Sequence, residues 1–80
     1  MDKRLKKELQ REPEEIRTRY RQLVDALEQR IQFERDIIEL ADEANDRAKI
    51  QAAKREIKNL QAQIRRLTTK TNEVLSIMNA

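Results

Sequence analysis

Between Glu14 and Ala80 the chain contains neither glycine nor proline. Over that length no residue obliges the backbone to leave the α-helix. The dominant residues, Glu, Lys, Arg, Gln, Leu, Ile and Ala, are good helix formers. In the second half Ile50, Ala53, Ile57, Leu60, Ile64, Leu67, Thr71, Val74 and Met78 alternate by three and four, the a/d stripe of a coiled coil over four heptads. In the first half Tyr20, Val24, Leu27, Ile31, Ile38 and Ala41 form a similar stripe, with Glu34 at one core position. The expected class is therefore all-α.

The two stripes do not share a frame, so something happens between Ala41 and Ile50. The local chemistry points to a turn at Asn45–Asp46. Asn tolerates the left-handed conformation that ends a helix, and Asp is among the best residues to cap the next one. If the chain folds back there, antiparallel partners have numbers adding to 91. The layers become Ala41/Ile50, Ile38/Ala53, Glu34/Ile57, Ile31/Leu60, Leu27/Ile64, Val24/Leu67 and Tyr20/Thr71. Each joins an a position to a d position, and small residues face large ones three times, which fills space. Registers adding to 84 or 98 keep a against d as well, but with poorer turn chemistry. One continuous helix crossing a second copy at the same point makes the same layers between chains. The two states are domain-swapped versions of each other. The expectation is an antiparallel two-helix hairpin that dimerises into a four-helix bundle, with the continuous-helix antiparallel coiled-coil dimer as the alternative.

Pro13, followed by Glu14 and Glu15, reads as the first position of a helix, where its missing N–H costs nothing and two carboxylates meet the positive dipole end. Residues 1–12 are then a basic arm or short separate helix, and residues 13–80 a single hairpin domain. Its helix 1 spans about 13–44 and its helix 2 about 46–78.

A single seam between two helices is thin for independent stability. The chain carries more apolar residues than the seam uses. Phe33, Ile37 and Leu40 follow a second line, Ile16 and Leu23 widen the first, and Leu75 and Ile77 do so near the C-terminus. These seven residues are the candidate interface, for a second copy or for a helix of another protein.

Charge is segregated behind a net +3. Residues 12–45 carry −5 and residues 46–70 carry +6. In the 91 register Asp42 lies near Arg47, but Arg35 falls near Lys54, so intramolecular pairing is not the chief use of the segregation. Arg55, Lys58, Arg65 and Arg66 occupy outer heptad positions as a basic strip, and Lys3, Arg4, Lys6, Lys7 and Arg11 add a basic arm. Such a strip permits phosphate contacts. It lacks an aromatic for base stacking and lies beside an acidic helix.

Catalysis is poorly supplied. There is no His, Cys, Gly or Trp, so the usual proton shuttles, thiolates and phosphate-cradling loops have no residues to use. Ser76 stands without a His to activate it. Glu34 reads as a carboxylate that snorkels to the seam edge and helps fix register, and Tyr20 as a core aromatic against Thr71 with its hydroxyl at the rim. No catalytic residue, metal ligand or cofactor is expected. The basic arm, with two leucines and no aromatic, buries little area for holding a membrane. Apolar runs reach only two residues, so no membrane span is expected either. With neither a span nor a signal sequence, a cytoplasmic protein is the default expectation. The functional expectation is a non-enzymatic oligomerisation or adaptor element, with a small nucleic-acid binder as the alternative.

Overall fold

The computed structural model describes residues 3–79, with side chains from Glu12 onward. Two helices make up the fold: α1 (Lys3–Glu43) and α2 (Arg47–Met78), packed against each other and joined by a three-residue turn. The chain doubles back, so the hairpin is adopted and the continuous helix is not.

The turn forms for the reasons its residues suggest. Asn45 takes φ 56°, a left-handed conformation that Asn accepts more readily than most residues. The Asn45 N–H donates to the Asp42 carbonyl at 3.1 Å and the Asp46 N–H to the Ala41 carbonyl at 2.8 Å. These two bonds make a Schellman motif, which satisfies the last carbonyls of α1. Asp46 then starts α2: its Oδ1 accepts from the Lys49 N–H at 3.2 Å, and its carbonyl accepts from the Ile50 N–H at 3.2 Å. One residue thus closes the first helix and caps the second.

The N-terminal boundary differs from expectation. α1 does not begin at Pro13 but at Lys3, and runs through the proline. A proline inside a helix removes one ladder bond and costs about 3 kcal/mol. Residues 3–12 are all strong helix formers with no β-branched side chain, which favours continuing the helix through that defect. In the 91 register Pro13 is level with Met78, where α2 stops. The first turns of α1 therefore overhang the hairpin.

The seam is narrow. Among the described residues Ile31, Ala41, Ala53 and Leu60 are the buried hydrophobic ones, and Leu60 is the one large side chain that is fully enclosed. All four lie on the expected stripes, and Ile31 and Leu60 are partners in the 91 register. Val24, Leu27, Ile38, Ile50, Ile57, Ile64 and Leu67 are half-buried around them.

Towards the open end the seam shifts by one residue. Val74, expected in the seam, is 44% exposed, and its level-mate Arg17 is exposed too. Ile16 and Leu75 are half-buried instead. In α1 the partly buried line runs 16, 20, 24, 27, and in α2 it runs 67, 71, 75, 78. Both carry two consecutive steps of four at the same level. A straight helix drifts about 20° per heptad against a strict seven-residue repeat, and an extra step of four takes up the drift. Because both helices shift together, Ile16/Leu75 continues the 91 register.

The resulting molecule is a thin rod, with Cα extents of 66 × 17 × 9 Å and a radius of gyration of 18.8 Å. A compact 80-residue domain has a radius of about 12 Å. So thin a shape leaves two broad faces open.

Candidate protein interaction surface

Two side-chain contacts mark the edges of the hairpin. Along one, Tyr20 Oη and Thr68 Oγ1 lie 2.7 Å apart, while Thr68 Oγ1 also donates to the Ile64 carbonyl at 2.8 Å. A hydroxyl has one proton, so Tyr20 is the donor to Thr68. The phenol thus reaches the rim as expected, but its polar partner is Thr68, one turn from Thr71. Along the opposite edge Arg30 and Glu56 approach to 3.9 Å, with side chains 67% and 38% exposed. An ion pair so open to solvent contributes little. The expected Asp42–Arg47 pair is not formed among the described residues; Asp46 and Lys49 pair at 4.0 Å within the cap.

The two faces beyond these edges differ in chemistry. The Tyr20–Thr68 face carries Thr18, Arg21, Asp25, Glu28, Gln32, Arg35, Glu39 and Asp42 from α1, with Lys54, Lys58, Gln61 and Arg65 from α2. It is polar almost throughout. On the Arg30–Glu56 face α1 presents Leu23, Ala26, Phe33, Ile37, Leu40 and Ala44. These six, with Arg19 and Arg30 at the remaining places, repeat by three and four from 19 to 44. α1 therefore has a second heptad seam beside the first. Leu23 is 52% exposed, Phe33 63% and Leu40 67%. From α2, Ile77 lies on the same face and is 75% exposed.

Near the turn this face is grooved. One groove of about 510 Å³ is lined by Glu34, Ile37, Lys49, Ala52, Ala53 and Glu56, and a smaller one of about 230 Å³ by Ile37, Leu40, Ala41, Ala44, Asp46 and Lys49. Both exist because small residues, Ala41, Ala44, Ala52 and Ala53, cluster where the helices approach the turn. Glu34 opens onto the larger groove rather than into the seam. No polar or charged residue is buried among the described residues, so its carboxylate keeps access to water.

Of the seven residues singled out in the sequence, the structure brings Leu23, Phe33, Ile37, Leu40 and Ile77 to this one face. Ile16 and Leu75 belong instead to the hairpin's own seam at its open end, because the seam has shifted there. Ala26 and Ala44 were missed. Their signal was the three-four spacing they share with Leu23, Phe33, Ile37 and Leu40, which is easily hidden by Arg30 at a central place.

Arg55, Lys58, Arg65 and Arg66 are all exposed on the outer side of α2, with no acidic residue on that side from 51 to 72. The side chains of Lys3, Arg4, Lys6, Lys7 and Arg11 lie outside the described residues. Among the described residues no cluster of His, Cys, Asp or Glu is suited to a metal ion, and no helix is long and apolar enough to cross a membrane. Comparison with protein-family models, with curated proteins and with solved structures finds no match to this chain.

Proposed function

We propose that this chain is a non-enzymatic helical association module that acts by packing the second seam of α1 against another helical surface, in the first place that of its own second copy. The observation carrying this reading is the heptad repeat of Leu23, Ala26, Phe33, Ile37, Leu40 and Ala44 on one exposed face. Scattered surface hydrophobes are ordinary. Six in helical register along more than twenty residues, beside a core with one fully enclosed large side chain, form a patch of the kind that marks an interface. A four-helix bundle is the simplest arrangement that covers such a face, since each helix then packs on two neighbours. An adaptor role follows if the face also accepts helices of other proteins.

The test is solution mass by light scattering, with Phe33→Asp/Leu40→Asp as the variant. Both positions are more than 60% exposed, so the hairpin itself keeps its seam. The wild-type chain should run at twice its 9.6 kDa and the variant at the single-chain mass with unchanged helicity. A wild-type chain that stays monomeric at every concentration contradicts self-association.

A second reading rests on the exposed strip Arg55, Lys58, Arg65 and Arg66, whose charge and spacing suit phosphate groups. Against it stand the lack of an aromatic in the strip and the acidic α1 alongside. The association reading expects no salt-dependent binding when the chain is titrated with short RNA or DNA. Steep salt-dependent binding that Arg65→Glu/Arg66→Glu abolishes favours the second reading.

A further inference from the structure

Charge segregation and the position of the grooves together fix how two copies meet, an inference that rests on the self-association proposed above. We infer that two hairpins stack face to face with their turns at the same end, so that α1 of each copy lies antiparallel on α2 of the other. The alternative two-fold puts the turns at opposite ends and lays α1 on α1 and α2 on α2.

Two independent features of the molecule separate these arrangements. The first is charge. Residues 12–45, almost all in α1, carry −5, and residues 46–70, almost all in α2, carry +6. Stacking α1 on α2 joins opposite charges from the turn to the level of Arg21 and Lys70, whereas the alternative joins like with like. At the outer edge the match becomes specific. Asp36 and Arg55 occupy equivalent outer heptad positions and are level in the 91 register. Within one hairpin they sit on opposite outer sides and form no ion pair among the described residues. Across the proposed interface they flank the same helix pair, twice by symmetry. Asp36 is already held by a hydrogen bond from Gln32 Nε2 at 3.0 Å, on the surface of α1.

The second feature is shape. The bulky residues Phe33, Ile37 and Leu40 and the alanine-lined grooves lie at the same end of the hairpin, next to the turn. With the turns together, Ile37 and Leu40 of one copy come level with Ala52 of the other, so large side chains meet the groove left by a small one. With the turns apart, α1 lies on α1, so the same bulky residues leave the grooves and meet the open end of the other copy's α1, where Arg19, Leu23 and Ala26 stand on this face.

The chain has no cysteine, so a spin label can be placed cleanly at Ser76, an exposed outer position near the end of α2. From a rise of 1.5 Å per residue and helix spacings of 8–10 Å, turns together place the two labels within about 30 Å, turns apart about 45 Å, and a domain-swapped pair of continuous helices about 90 Å. The inference expects the short distance in a sample of doubled mass. Doubled mass with either longer distance overturns the arrangement and leaves self-association standing; single-chain mass overturns both. A charge swap provides the second reading. Asp36→Arg and Arg55→Asp should each raise the dimer Kd roughly 5- to 30-fold, as two rim pairs per dimer imply, and the double variant should recover most of that loss. A double variant as weak as the two losses combined removes the Asp36–Arg55 contact and the arrangement with it.

Discussion

Asn45 and Asp46 turn a chain of continuous helix formers into a hairpin, and they do so through two separate requirements. Asn45 must hold a positive φ, and Asp46 must supply an oxygen to the first turn of α2. Asn45→Gly relieves the first at little cost, whereas Asn45→Val adds about 1–2 kcal/mol of left-handed strain. Because the two hairpin arms can repack between chains, that strain should also be relieved by straightening. Thermal melts followed by circular dichroism should show Asn45→Val lowered and Asn45→Gly nearly unchanged, and cross-linking of mixed chains should reveal more swapped dimer in the valine variant. Equal melting temperatures for the two variants contradict the role given to Asn45. Tyr20 is a milder case: Tyr20→Phe loses one hydrogen bond, a net of about 0.5–1.5 kcal/mol, and leaves the Thr68 bond to Ile64 in place.

Each helix is a compromise between a strict repeat and straight geometry. Leu60 and Ile31 sit where the repeat is best obeyed, so Leu60→Ala should cost about 2–5 kcal/mol and unfold much of so thin a seam at room temperature. At Glu34 the compromise is chemical. A carboxylate holds a seam position level with Ile57 and stays accessible by turning to the groove. Glu34→Leu should stabilise the hairpin by about 1–2 kcal/mol from apolar burial, read as a raised denaturant midpoint; a lowered midpoint means that the carboxylate contributes more than register. The turn, the 91 register and the seam from Tyr20 to the turn were legible in the sequence, because each depends on residues within one or two turns of each other or on a stripe several heptads long. The passage of α1 through Pro13 was not, since a local breaker was outweighed by good helix formers on its N-terminal side. Nor was the shift that brings in Ile16 and Leu75 and releases Val74. It arises from drift accumulated along straight helices, which a fixed heptad frame cannot express. The second seam was half legible: Phe33, Ile37 and Leu40 stood out, while Arg19 and Arg30 broke the pattern that joins them to Leu23 and Ala26.

At the scale of the whole molecule the rod is long, thin and two-faced, and only one face is apolar. Stacking a second rod on that face thickens the particle without lengthening it. X-ray scattering should therefore give doubled mass with a radius of gyration of about 20 Å, close to the 18.8 Å of one chain, since helices pack 8–10 Å apart. A swapped pair of continuous helices gives more than about 30 Å at a rise of 1.5 Å per residue.

The claim on which the functional account turns is that the Phe33 and Leu40 face is covered by a second chain. Isotope-filtered nuclear Overhauser spectroscopy on an equal mixture of labelled and unlabelled protein addresses it directly. Cross-peaks between the Leu40 methyls of one chain and the Ala52 methyl in the other, and between the Phe33 ring and the side chains of Glu56 or Asn59, are the predicted result. Phe33 and Leu40 resonances with cross-peaks to their own chain alone, in a sample at millimolar concentration, contradict it.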